Sequence, residues 1–333
     1  MHRSFSILIA AVAASLLATS ASAQEVRIAR QFSMGYLQFN VMEHEKLLEK
    51  HAAALGLKDV KITWATFNGP DAMNNALISD SIDIVAGGVP GLVTLWARTK
   101  GTANEVKGIS ALSSQPFLMN TRSDHIKSIA DLKDSDRIAL PAVKVSVQAV
   151  ALQMAAAKLH GQANYGKYDP LTVSMSPPDA TIAILSGSGE INNVFSVPPF
   201  QFQQLEKSGV RTILNSFDIM DGPHTFTCAW TSARFRDKNP VLYKALLAAL
   251  KEATEIVDKD RQKAAGYWIE DVKSKLPLDK VTGVISGQQV RWTMTPENAM
   301  KFANFMASVG SIKEAPKSWK DMFFPEVHDL NGS

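Results

Sequence analysis

The stretch "FNGPDAMNNALISDSIDIVAGGVPGL" (67–92) decides the fold. Asn68-Gly69 breaks the chain after an apolar run, and Pro70 stands where a helix tolerates proline best, in its first turn. "SIDIVAGG" (81–88) then reads as a buried strand, Gly87-Gly88 interrupts it, and Val89-Pro90 begin a second helix. Two strand-to-helix turns in quick succession predict an α/β sheet.

The same rhythm extends both ways. "EVRIARQ" (25–31) alternates like a strand and ends in the loop "FSMGYL", followed by one helix from about Gln38 to Leu55 with Gly56 as its stop. "VKITWATF" (60–67) is the strand before the opening stretch. Further on, "DRIALPAVKVSVQAVALQMAAAKLH" (136–160), "LTVSMSPPDATIAILS" (171–186) and "GEINNVFSVPPFQFQQLE" (189–206) each read strand, turn, helix. An offset of 108 positions lays Pro70-Asp71-Ala72 on Pro178-Asp179-Ala180. The same offset brings Leu77 to Leu185, Val89 to Val197 and Pro90 to Pro198 without a gap. The chain therefore reads as two similar lobes.

Extended segments at 106–122 and 222–235 bracket the second run, as a chain needs if it leaves one lobe and returns. From Pro240 the pattern is mostly helical, and that tail is expected to pack against the first lobe or brace both. The expected division is 24–112 with 228–333 for lobe 1, and 113–227 for lobe 2.

With 333 residues, 46% hydrophobic and 20% charged, the chain can bury cores for two domains. Its beginning reads as a signal peptide over 1–23: Arg3, an apolar run from Phe5 to Ala18, and Ala21-Ser22-Ala23 as the cleavage site. Cys228 is the single cysteine, so no thiol follows the apolar run to carry a lipid and no disulfide forms within the chain. These features predict an exported, monomeric protein of a bacterial periplasm. A formal charge of +3 with no basic stripe excludes nucleic acid as the expected partner.

Catalytic motifs are missing. "EHEKLLEKH" (43–51) has Leu48 four residues after His44, so the zinc-helix pattern fails, and His44 and His51 are expected on a solvated face. Ser188 in "SGSGE" lacks the spacing of a nucleophile elbow and reads as a helix end. No phosphate-binding glycine loop occurs, and neither a metal site nor a cofactor is expected. The turns favour binding instead. A helix N-terminus offers unpaired N–H groups and a partial positive charge, and in an open α/β sheet ligands sit at the carboxyl ends of the strands. Asn68-Gly69, Gly88-Val89, Val143 to Ser146 and Ser196-Val197 are such helix starts, and Lys144 is the one charge among them. Met34, Tyr36, Phe67, Phe117, Phe195, Phe200 and Trp230 are the side chains expected around the cleft.

The signal peptide, "RIARQFSMGYL", the opening stretch, "RIALPAVKVSVQAVALQMAA", "GSGEINNVFSVPPFQFQQLE" and "FRDKNPVLYKALLAALKEA" resemble the periplasmic solute-binding proteins of ABC importers, nitrate/sulfonate/taurine type. The resemblance covers nearly all of the mature chain. It implies a two-lobed periplasmic-binding-protein fold with two crossover segments and a helical C-terminal region. It further implies a small organic anion, sulfonate or carboxylate, closed into the cleft and handed to a permease in the inner membrane. The ligand contacts it implies are Met34, Gly35 and Tyr36; Asn68 and Gly69; Gly88 and Val89; and Ser113, Ser114 and Gln115. From the second lobe it adds Val143, Lys144 and Ser146, and Phe195, Ser196 and Val197. The related thiamine-pyrimidine synthases suggest an enzyme on the same scaffold as the alternative. Their cysteine-rich motif is missing, since Cys228 stands alone.

Overall fold

Residues 25–333 are described by a computed structural model. The expected signal peptide and its cleavage after Ala23 lie outside the described residues. Strand β1 (Glu25–Gln31) pairs in parallel with β2 (Lys61–Phe67) along its whole length, from Glu25 opposite Lys61 to Gln31 opposite Phe67. On its other side lies β3 (Ile84–Gly88), with Ile28 opposite Ile84. All three end at the same edge of the sheet. The long strand β4 (Val106–Ser114) stays in this sheet, and the chain then crosses over through 115–117.

The second sheet takes β5 (Leu118–Thr121), β6 (Ile138–Leu140), β7 (Thr172–Ser174), β8 (Asn193–Phe195) and β9 (Arg211–Asn215). The chain returns through 216–224 to β10 (Thr225–Ser232), and the two-residue β11 (Arg291–Trp292) closes the first sheet at its edge. The orders are β11-β4-β10-β3-β1-β2 and β7-β6-β8-β5-β9. Each sheet thus holds a parallel trio, with the trio's first strand in its middle, beside strands in antiparallel pairing, three in the first sheet and two in the second. The element that follows a given strand in one lobe follows its counterpart in the other. This is the physical content of the repeat at offset 108.

Apolar residues from both lobes merge under the crossovers. Phe117, on the outgoing segment, lies 5.2 Å from Phe195 and 5.7 Å from Phe226, centroid to centroid. A second apolar cluster joins the outer side of the first sheet to the C-terminal helices, with Phe39, Leu47, Leu246, Leu250 and Trp268 buried in it.

Three sequence expectations are corrected here. The single helix expected over 38–55 is two, Leu37–Glu45 and Leu47–Ala54, joined through Lys46 in the left-handed region (φ 51°). Both pieces pack on the Pro240–Lys259 helix, and the break lets each turn its own apolar residues toward it. His44 and His51 are half-buried among charges instead of freely solvated: His44 Nε2 meets Asp271 and its ring stacks on Tyr267, while His51 Nε2 lies 2.6 Å from Glu252. They tie the first helices to the tail. Last, Val197 does not begin a helix. A cis Val-Pro-Pro turn (the Pro198–Pro199 bond) intervenes, and a short helix, Phe200–Leu205, follows it.

Candidate ligand-binding cleft

The strand edges of the two sheets face each other, and the turns leaving them enclose a narrow cavity of about 20 Å³, room for about one water. From the first lobe it is lined by Gln31, Phe32, Ser33 and Tyr36 after β1, by Asn68 and Pro70 after β2, and by Gly88 and Gly91 after β3. The second lobe adds Pro141, Val145, Ser146, Val147 and Gln148 after β6, Pro177 after β7, and Val197 after β8. Phe226 closes it from the start of β10. None of these residues is charged. Four helices start at this cavity: Pro70–Ile78, Val89–Thr99, Val147–His160 and Pro177–Ser186.

Glycine is required at these turns for close approach. A Cβ on Gly88 would lie 2.6 Å from the Cβ of Val147, and one on Gly69 would lie 2.9 Å from the Pro141 carbonyl oxygen, both across the cleft. The lobes also share hydrogen bonds. The Pro198 carbonyl accepts from the Met34 amide at 2.9 Å and from Ser33 Oγ at 2.9 Å. The conformation is therefore closed.

The electrostatics come from the backbone. Gly69 and Gly88 are the N-caps of their helices and have no side chain to satisfy the first-turn N–H groups. In the second lobe Ser146 and Ser176 cap their helices, accepting from the amides of Ala149 and Asp179 at 3.3 Å each. Free donors and dipole ends at an uncharged cavity suit a small oxygen-rich group that carries negative charge.

The residues expected from sequence fall into two groups. Tyr36, Asn68, Gly88, Ser146 and Val197 line the cavity, and Gly69 stands at its rim against Pro141. The others lie behind it. Met34 is buried and bonded to Pro198; the Gly35 carbonyl accepts from Ser113 Oγ at 3.2 Å and Thr227 Oγ1 at 2.6 Å. Gln115 Nε2 donates to Ser113 Oγ at 3.3 Å, and Ser114 Oγ is buried without a partner. Val89 and Phe195 are core, and Ser196 Oγ accepts from Gln204 Nε2 at 2.9 Å. Val143 donates its amide to Ser174 Oγ, and Lys144 is exposed with φ 68°, its charge acting on Asp169. Sequence reasoning missed Gln31, Phe32 and Ser33, and also Pro70, Gly91, Pro141, Val145, Val147, Gln148, Pro177 and Phe226. The run after β1 carries polar residues in a loop at a strand edge, which is the signal that could have found the first three.

His224 and Cys228 do not form a catalytic pair. His224 Nε2 meets Ser216 Oγ at 2.9 Å and Nδ1 meets the Thr225 carbonyl at 2.9 Å, inside a box of Phe117, Phe217 and Phe302. Burial pushes the imidazole down to about 4 and the Cys228 thiol well up, so both are neutral at neutral pH. Among the described residues no group of three or more His, Cys, Asp or Glu could hold a metal ion, and no helix is long and apolar enough to cross a membrane.

Among curated protein sequences no relative matches. Solved structures of the same architecture do. The alkanesulfonate-binding protein SsuA of Xanthomonas axonopodis pv. citri, bound to MOPS, is 17% identical, with 90% of this chain and 96% of that chain covered at a TM-score of 0.65. The periplasmic aliphatic sulphonate binding protein SsuA of Escherichia coli is 18% identical over 91% and 92%, at 0.64. The periplasmic nitrate-binding protein NrtA of Synechocystis PCC 6803 is 14% identical over 90% and 84%, at 0.69. The two-lobed fold is thus that of the periplasmic binding proteins. With residues 20–268 matching it, the chain belongs to the NMT1-like family.

Proposed function

We propose that this protein is an extracytoplasmic solute-binding protein of an ABC importer. It captures a small organic anion, sulfonate or carboxylate, between its lobes, which part from this closed form to admit it, and releases it chemically unchanged to an inner-membrane permease. The second lobe lies within residues 113–227, carried by the sheet between the two crossovers, and the exported chain works as a monomer in the periplasm. One observation carries this reading: helix N-termini from both lobes converge on one uncharged cavity, with the first lobe's donors left uncapped. Tyr36, Asn68, Gly88, Ser146 and Val197 make the contacts, and closure excludes water so that each hydrogen bond to the anion strengthens. The sulfonate- and nitrate-binding proteins of like fold supply the class of solute.

The test is a thermal-shift screen of the mature protein against taurine, alkyl and aryl sulfonates, nitrate, bicarbonate and aromatic carboxylates. A ligand held only by the folded state stabilises it by about 2.7 kcal/mol at a hundred times its Kd, so the melting temperature must rise. A rise with sulfonates or carboxylates, with the compound recovered intact, is the expected result. A flat panel sinks the anion assignment, and a recovered product makes the protein an enzyme.

A further inference from the structure

The two crossovers are tied to each other at one buried point. The Ser216 amide donates to the Phe117 carbonyl and the Phe117 amide donates to Ser216 Oγ, each at 3.1 Å. The pairing of β5 with β9 is thereby carried one step into both connections. The direction of the remaining bonds follows from the groups involved. His224 Nδ1 lies 2.9 Å from the Thr225 carbonyl, which only accepts, so Nδ1 holds the ring's proton and Nε2 is an acceptor. Ser216 Oγ, 2.9 Å from Nε2, therefore donates to it while accepting from Phe117. Phe117 N–H to Ser216, Ser216 O–H to His224 and His224 N–H to Thr225 make one directional relay from the outgoing crossover to the start of β10. Ser216 and His224 are both fully buried.

The relay engages both backbone groups of Phe117, and the Phe117 ring touches two parts of the cleft. It packs on Phe195, which leads into the turn whose Pro198 carbonyl holds Ser33 and Met34, and on Phe226, which lines the narrow cavity. Protonation of His224 undoes the relay. With N–H at both nitrogens, Ser216 Oγ must accept from His224 and from Phe117, and its own proton loses its partner inside the aromatic box. The surroundings oppose that proton. The outgoing crossover presents Phe117, β10 presents Thr225, and the Ser216–Ile219 helix presents Phe217 with Asp218 turned to solvent. The Ala299–Ser308 helix presents Phe302 and the Lys301 ammonium, which bonds the Met220 carbonyl and lies 3.9 Å from Asp221.

We propose that Ser216 and His224 are positioning residues for closure: by holding the crossovers together they set Phe117, and through it the clasping turn and the cavity wall, so that breaking the relay parts the lobes without unfolding either. The inference rests on the solute-binding reading in that the lobes part to admit a solute. Its experiment uses no ligand, so its failure leaves that reading to its own test.

The Met34 amide reports the event, because its acceptor, the Pro198 carbonyl, lies on the other lobe. Amide hydrogen exchange on the mature protein, resolved by residue and corrected for intrinsic rates, compares it with the amides of β1, whose partner strands lie in the same sheet. Ser216→Ala is expected to lower Met34 protection about tenfold and to leave β1 unchanged. On the natural chain, going from pH 7 to pH 5 should lower Met34 protection alone by about tenfold, since the parted form binds the proton that the closed form excludes. His224→Gln, which does not titrate, should abolish that pH step. Equal loss at Met34 and in β1 with Ser216→Ala shows a serine that only holds the fold, and an unchanged Met34 amide shows a clasp independent of the relay; either overturns the proposal. If Ser216→Ala does not fold, the pH comparison decides: no step at Met34, or a step that persists in His224→Gln, overturns it.

Discussion

The two lobes share a plan and differ at the cleft. At offset 108 Gly69 corresponds to Pro177, Gly87 to Phe195, Gly88 to Ser196 and Gly91 to Pro199. Each of these four cleft glycines of the first lobe is answered by a larger residue in the second. Capping differs in the same sense, since glycine caps leave amides free while Ser146 and Ser176 engage theirs. The first lobe also has the deeper sheet, with seven-residue β1 and β2 against three-residue β6 and β7. A duplicated plan has thus been split into a smooth surface that offers backbone donors and a bulky one that fills the space above them.

The comparison breaks most visibly if the smooth side is made rough. Gly69→Val combined with Gly88→Leu places side chains where Pro141 and Val147 already stand. Overpacking at two sites is expected to cost about 4 kcal/mol of closure, about a thousandfold in ligand affinity by calorimetry. Both glycines have φ that any residue adopts (−164° and −71°), so the melting temperature without ligand should hardly change. Unchanged affinity would mean that closure is not needed for binding.

The next effect tests whether the lobes unfold together. His224 sits on the returning crossover against aromatic rings of both halves, with the Lys301 charge nearby also disfavouring protonation. Its ordinary value is 6.5 and its folded value about 4, so between these the unfolded chain binds the extra proton. Stability from this group is therefore present above pH 6.5 and lost as pH falls toward 4, by about 3 kcal/mol. Denaturant melts at pH 7 and pH 4 should show one cooperative transition moving to lower midpoint, and His224→Gln should shrink the pH dependence. Two transitions would show that the lobes unfold separately.

Smaller still is Ser146→Ala, which removes a cap of the bulky lobe. It should cost about 1 kcal/mol in stability by denaturant midpoint. Affinity should fall less than with the glycine variants, because one contact from the second lobe is lost while the lobes still close. Lys280→Gln is the smallest: the pair with Glu206 bridges the lobes at 2.6 Å but is about half exposed on both sides, so its loss should move closure by 0–1 kcal/mol, most at low salt.

What the sequence made legible was local. Strands β1, β2 and β3 and the turns after them could be read because glycine and proline punctuate alternating apolar runs, and the second lobe followed by register. The fourth helix start could not be placed, because Val197-Pro198-Pro199 carries the residues of a helix entrance while Phe200 is where the helix forms. Nor could the tie between the crossovers be foreseen. Phe117 meets Ser216 through strand pairing 99 positions away, and no spacing rule spans that separation. His44 and His51 were misplaced for the same reason, as their partners lie on the tail.

The Pro198 carbonyl, clasped by Ser33 and Met34, has a consequence for transport economy. These bonds join protein to protein, so part of what holds the lobes shut is independent of cargo. A carrier of this kind pays little conformational tax when it captures solute. The converse is leakiness of signal: a transporter that sensed closure alone would hydrolyse ATP on empty carriers to whatever extent the clasp holds unaided. Fidelity in such a system has to reside in the difference between a clasped pair of lobes and a clasped, filled one.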